Sequence, residues 1–365
     1  MQEGLSLVEQ RKKEFNYTYD IIRILAVFTV VIGHATYTTW SGDGGLIELN
    51  LDQASETYHL LHNRISRLGG WIYGFHMPLF FMLSGAVYSF SSKRDNFDIF
   101  MNGKIRRLII PYFLVGLFYM IPIKYISGFY TKDAIASVIQ GFLFGQFSGH
   151  LWFLLALFWC FAIFYGLEKY IFTKSCFVAV IVACAFFNFN QYSMINSQFL
   201  SVIPGLTRAI SYLPYFIGGF LFERLLRQKT ENIKAIVIIF TISLVLNILQ
   251  MRKGVFTADA LKVILGSSLI YSIAALLSRW NGLMKNKGFE ILRRDAFDIY
   301  LFHEPINFIV LRMAINTKMI ESMRGGVTFF AMRIFGAITI SVILAEMLRY
   351  VKTLVKNRKK EENTR

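Results

Sequence analysis

Two ionisable side chains stand inside an apolar run where lipid offers them no partner. The run is residues 21–40, IIRILAVFTVVIGHATYTTW, and the side chains are Arg23 and His34. A charge centred in a spanning helix costs roughly 2.5–3.5 kcal/mol on insertion scales, so such residues normally face a bundle interior and serve function. At 100° per residue their spacing is about three turns with roughly 20° left over, which puts both on one helix face about 16 Å apart along the axis. Asp20, three residues before Arg23, joins that face within ion-pair reach. A blander reading exists for each residue alone: Arg23 snorkels to the headgroups, and His34 hydrogen-bonds a neighbouring helix. Their coincidence on one face favours a site.

A second constellation is basic. Lys104, Arg106 and Arg107 stand at the threshold of the apolar run that begins at residue 108. Positive-inside bias alone places cations there. The same cluster suits the phosphates of a nucleotide-type donor, with Arg offering bidentate geometry. Further polar groups recur near span ends. His76 and Ser84 lie in WIYGFHMPLFFMLSGAVYSF, His150 and Trp152 in GHLWFLLALF, and Tyr300 and His303, followed by Glu304, in RDAFDIYLFHEPI. Each has an ordinary alternative as an interfacial anchor or helix-contact residue; together they are the candidates to line a substrate cavity. No metal site is expected, because His59 and His62 lack a third ligand and Cys160, Cys176 and Cys184 form no C-x-x-C pair.

These residues need membrane helices to position them. The chain has 365 residues, 55% of them hydrophobic and only 17% charged, and its apolar runs approach the ~20 residues that cross a bilayer. The expected fold class is all-α, a polytopic membrane protein of about ten transmembrane helices. The spans fall near 21–40, 70–90, 108–127, 150–168, 174–189, 203–222, 233–250, 260–278, 295–313 and 326–351. The net charge of +16 does not indicate nucleic acid, since the 39 basic residues sort by loop. Apart from Arg23, 26 fall on the side of the termini and 12 on the other, which orients both termini to the cytoplasm. The resulting organisation is a cytoplasmic segment 1–20, a membrane domain 21–351 and a basic cytoplasmic tail 352–365, in the cell membrane. The acidic loop 41–69 is expected over the outer mouth.

The motifs, taken together, resemble the acyltransferase 3 family of membrane acyltransferases. Arg23 and His34 match its Arg-x10-His signature, FHMPLFFMLSG its F-x-x-P-x-F-F-x-x-S-G run, IRRLIIPYF its Arg-rich entrance to the third helix, and HLWFL and IYLFHEPI later landmarks. Two positions depart: Lys104 replaces the first Arg of the family's Arg-x-x-Arg, and Glu346 is followed by Met347 and Leu348 where some members carry Glu-x-Pro. The resemblance implies transfer of an acyl group, usually acetyl, from cytoplasmic acyl-CoA to a hydroxyl of an extracytoplasmic glycan. No cofactor is bound permanently; acyl-CoA is the donor substrate. On this reading His34 is the general base, or in a variant the acyl carrier. Arg23, paired with Asp20, holds the donor's phosphate or pantetheine end, and Lys104, Arg106 and Arg107 collect the CoA phosphates. The partners are then acyl-CoA, a surface glycan or other hydroxyl acceptor, the lipid bilayer, and either a second copy of the chain or glycan-assembly proteins. Two rivals stay open: a glycan or proton-coupled solute transporter, and an enzyme acylating a small molecule or lipid.

Overall fold

The computed structural model describes residues 2–52, 54–90, 96–168, 203–227, 232–253 and 259–363. Prolines mark two places where its helices change hydrogen-bonding pattern. A proline lacks the N–H that the carbonyl four residues earlier needs, so a helix carrying one must redirect that carbonyl. In α4, a helical run over Phe97–Ile126, Pro111 and Pro122 are each preceded by a π-helical turn, Ile105–Ile109 and Gly116–Met120. Each turn contains the carbonyl its proline cannot bond.

Before α4 come α1 (Gln2–Ala35), α2 (Glu56–Tyr73) and α3 (His76–Tyr88). Ser55 starts α2 by accepting from the Tyr58 N–H at 3.2 Å, and Asn96 starts α4 by accepting from the Ile99 N–H at 3.0 Å. After α4 come α5 (Ile135–Leu143), α6 (Trp152–Leu167), α7 (Leu206–Leu221), α8 (Ile233–Lys253), α9 (Asp259–Leu277) and α10 (Lys287–Thr317). The last helix, α11, runs through Met323–Ala331, a π turn at Met332–Gly336 and Ala337–Asn363.

Among the described residues six helices are long and apolar enough to cross a membrane: Tyr17–Ala35, Phe97–Ile126, Gly149–Leu167, Ile233–Arg252, Asp259–Leu277 and Met323–Arg358. The protein is an all-helical, multi-pass membrane protein, and ten is an approximate count of its spans. The expected span 174–189 lies outside the described residues. The run 70–90 is not one helix, because Gly74 and Phe75 break it between α2 and α3. The span 295–313 lies inside α10, whose central stretch is buried on all sides although it carries His303, Glu304 and Asn307. A helix buried all round belongs to the core. It packs against α1, α4 and α11, which brings residues far apart in sequence to one place.

Among the described residues the exception to helix is a hairpin, β1 (Thr39–Gly42) and β2 (Gly45–Glu48), paired antiparallel with Gly42 opposite Gly45. Its two-residue turn, Asp43-Gly44, has φ of 49° and 81°, the positive values a tight hairpin turn requires and Asp-Gly supplies. The hairpin docks on the segment after α4 through the Leu46 N–H, donated to the Phe129 carbonyl at 3.0 Å. At the opposite end of the bundle, ion pairs tie α10 to α11. Asp295 pairs with Arg294 at 2.8 Å and Arg349 at 2.9 Å, Asp298 pairs with Arg349 at 3.3 Å, and Glu346 pairs with both arginines.

Candidate functional site

At the hairpin end of the bundle a cavity of about 220 Å³ opens beside the last turn of α1. His34, His76, His150, Trp152 and Tyr300 line it, with Tyr73 and Tyr212. Four helices and the segment before α6 thus bring together five of the residues singled out in the sequence. A sixth, His303, lies directly behind His34.

Hydrogen bonds fix the protons of this cluster. His303 is fully buried, and its Nδ1 faces two backbone carbonyls, Tyr300 at 2.8 Å and Ile299 at 3.1 Å. Carbonyls only accept, so Nδ1 carries the proton, and in a neutral ring Nε2 is the lone pair. That lone pair lies 3.2 Å from His34 Nδ1, which must therefore donate. His34 is left with its own lone pair on Nε2, in a ring that lines the cavity. His150 differs. Its Nδ1 lies 2.7 Å from Glu304 Oε2 and its Nε2 3.0 Å from the Leu301 carbonyl. Both nitrogens are engaged by oxygens, so neither is turned to a substrate proton.

The Leu301 carbonyl is available because of Pro305, four residues on, which has no N–H to offer it. The motif His-Glu-Pro thus supplies the ring behind His34, the carboxylate on His150 and the freed carbonyl that completes the grip. Tyr300 adds to it by donating its hydroxyl to the His150 carbonyl at 2.5 Å. Glu304 is itself paired with Lys124 at 3.3 Å, both groups essentially buried, and the ammonium lies 4.7 Å from the centre of the Phe308 ring.

The hairpin reaches the cluster from behind His34 and His150. Trp40 brings its ring 5.3 Å from that of His34 and 4.7 Å from that of Phe308. Asp43 accepts the Gly149 N–H at 2.9 Å, next to His150. Burial raises the Asp43 carboxyl above its ordinary range, opposed by the nearby Lys124 ammonium.

Arg333, absent from the sequence-derived candidates, holds α1 in place. It is fully buried in the π turn of α11 and donates from Nε to Asn307 Oδ1 at 2.9 Å, from Nη2 to the His34 carbonyl at 2.7 Å, and from Nη1 to the Tyr37 carbonyl. The last carbonyls of a helix have no intrahelical partner, and a guanidinium answers both their hydrogen-bonding need and the negative end of the helix dipole. Lys124 and Arg333 fall within expected spans, so the rule that flagged Arg23 also applies to them. Both also fit the loop-by-loop sorting of basic residues that sets topology, which hides them.

Other candidates lie elsewhere. Arg23 does not line the cavity; it pairs with Asp20 at 3.1 Å, and Arg293 approaches the same carboxylate at 3.6 Å. Lys104 turns into the bundle, its ammonium 3.5 Å from the centre of the Phe161 ring, whereas Arg106 and Arg107 are exposed in the first π turn of α4. Ser84 donates to the Phe80 carbonyl of its own helix at 2.8 Å. Next to it, Gly85 leaves no room for a Cβ against the Phe216 backbone, so this pair serves the packing of α3 on α7. Among the described residues no group of three His, Cys, Asp or Glu side chains is placed to hold a metal ion.

A multi-pass helical bundle with an ionisable cluster enclosed at one end is the class of protein that fold and site define. The chain belongs to the acyltransferase 3 family, whose model, described as an acyltransferase domain, matches residues 16–346. No curated protein and no solved structure matches it.

Proposed function

We propose that this protein transfers an acyl group, acetyl in the simplest case, from acyl-CoA on the cytoplasmic side to a hydroxyl of an extracytoplasmic glycan, with His34 as general base. The observation that supports this most directly is the His34–His303 hydrogen bond at 3.2 Å, which leaves the Nε2 lone pair of a cavity-lining imidazole unprotonated. In the reaction, His34 Nε2 takes the proton of the acceptor hydroxyl as its oxygen attacks the thioester carbonyl. When the tetrahedral adduct collapses, the C–S bond breaks and the same proton passes to the departing sulfur. CoA leaves as the thiol and His34 is regenerated. Throughout, its Nδ1–H stays on His303, so the ring keeps one orientation.

The donor end of this reading rests on Arg23, Lys104, Arg106 and Arg107. Arg23 lies about 16 Å from His34 along α1, a depth suited to the middle of an extended donor, and the exposed Arg106 and Arg107 offer two forks for phosphates. The acyl arm then runs up the bundle to the cavity. Purified protein given acetyl-labelled acetyl-CoA and a mixture of surface glycans tests the reading: label should appear in the glycan with matching release of CoA thiol. A transporter has no reason to release CoA, and its absence would leave that rival standing.

A further inference from the structure

Arg208 occupies the first turn of α7, with its guanidinium carbon 4.8 Å from the centre of the Trp152 ring. Trp152 is a wall of the cavity, and Tyr212, one turn further along α7, is another; their rings are 5.3 Å apart. A guanidinium held over an aromatic ring gains from the ring's face and still has N–H groups to offer a planar anion. The other basic groups around the cavity have no such freedom, since Lys124 is held on Glu304 and Arg333 on three oxygens. Arg208 has no ion pair or hydrogen bond among the described residues. Asp43 is the nearby acid and acts on Arg208 through space, but its carboxylate accepts from Gly149 and makes no ion pair with the arginine.

We propose that Arg208, with Trp152 and Tyr212, forms an acceptor subsite for a sugar that carries an anionic substituent, a carboxylate or a phosphate. The aromatic pair offers flat faces to the apolar side of a sugar ring, and the guanidinium edge binds its charge in a bidentate fork. The subsite rests on the reading of this cavity as the acceptor's and narrows the acceptor from any glycan to an acidic one. It also accounts for an arginine set against a wall of the cavity, Trp152, with no ion pair among the described residues.

The test is a binding measurement that needs no acyl donor. Full-length protein in lipid nanodiscs is titrated calorimetrically with methyl glucuronide, glucose 6-phosphate and methyl glucoside. At least one anionic sugar should bind about ten- to a hundredfold more tightly than the neutral glucoside, the range a charge-assisted hydrogen bond supports. Which of the two it is identifies the substituent. Arg208→Gln should erase the preference and leave the glucoside affinity unchanged. Arg208→Lys, which keeps the charge and loses the fork, should retain part of it. Equal affinities in the wild type, a preference that survives Arg208→Gln, or no binding of any of the three overturns the subsite. Acetyl transfer without a charge preference would remove this proposal alone, and a charge preference without acetyl transfer would remove the functional reading alone.

Discussion

His303 Nε2 accepts the Nδ1 proton of His34 at 3.2 Å, while its own Nδ1 donates to the Tyr300 and Ile299 carbonyls. The proton order of the pair is therefore set by backbone carbonyls of α10, which do not titrate. His303 thus has the position of a residue that orients a base without touching the reacting atoms.

His303→Ala should lower the rate of acyl transfer by about 10²-fold while the KM for acyl-CoA stays near wild type, because the base loses its orientation and not its donor. Steady-state kinetics on detergent-solubilised protein separate the two constants. An unchanged kcat would mean that His34 needs no partner.

Glu304 sits between Lys124 and His150 in a buried site. Removing one member of a buried ion pair costs about 3–5 kcal/mol because the other charge is left without a partner. Glu304→Gln should accordingly lower the thermal unfolding temperature, and adding Lys124→Met should restore most of it. If the double variant is no more stable than the single one, the ammonium is not what the carboxylate compensates.

Arg333→Lys keeps a charge in the π turn but cannot reach Asn307, His34 and Tyr37 at once. We expect at least about a tenfold fall in kcat, from loosening of the last turn of α1, with donor binding retained; lost hydrogen bonds of this charge-assisted kind cost about 1.5–3 kcal/mol each. Equilibrium binding of acyl-CoA alongside turnover checks both halves.

At the donor end, Arg106→Gln combined with Arg107→Gln should weaken acyl-CoA binding by at least about tenfold. Reporter fusions at Asp52 and Asn357 should still report outside and cytoplasm respectively. Unchanged affinity together with an inverted topology would assign the two arginines to orientation instead.

His34, His76, His150, Trp152 and Tyr300 were legible in the sequence because a polar or aromatic residue at a fixed depth in an apolar run is conspicuous. Lys124 and Arg333 were not. A basic residue near the end of a span reads as a topology charge, and hydropathy cannot tell one that snorkels to water from one turned inward onto Glu304 or onto the end of α1. The break at Gly74 and Phe75 was hidden for a related reason, since the residues on both sides of it are apolar. Pro305 is visible as a proline, but the ring that takes its freed carbonyl comes from His150, 151 residues away, and only the packing of the segment before α6 against α10 supplies it. Spacing in the sequence puts Asp20 within ion-pair reach of Arg23; what it does not show is that Arg293, from α10, approaches the same carboxylate.

The central claim is that His34 is the base, and His34→Ala tests it most directly. General-base catalysis contributes about 10²–10⁴-fold, so the variant, shown to be monodisperse in detergent and to bind acyl-CoA as the wild type does, should transfer labelled acetyl groups slower by at least that order. Transfer at a near wild-type rate by the well-folded variant would contradict the mechanism, and His76, a cavity histidine whose Nδ1 donates to the Ile72 carbonyl, would be the next base to examine.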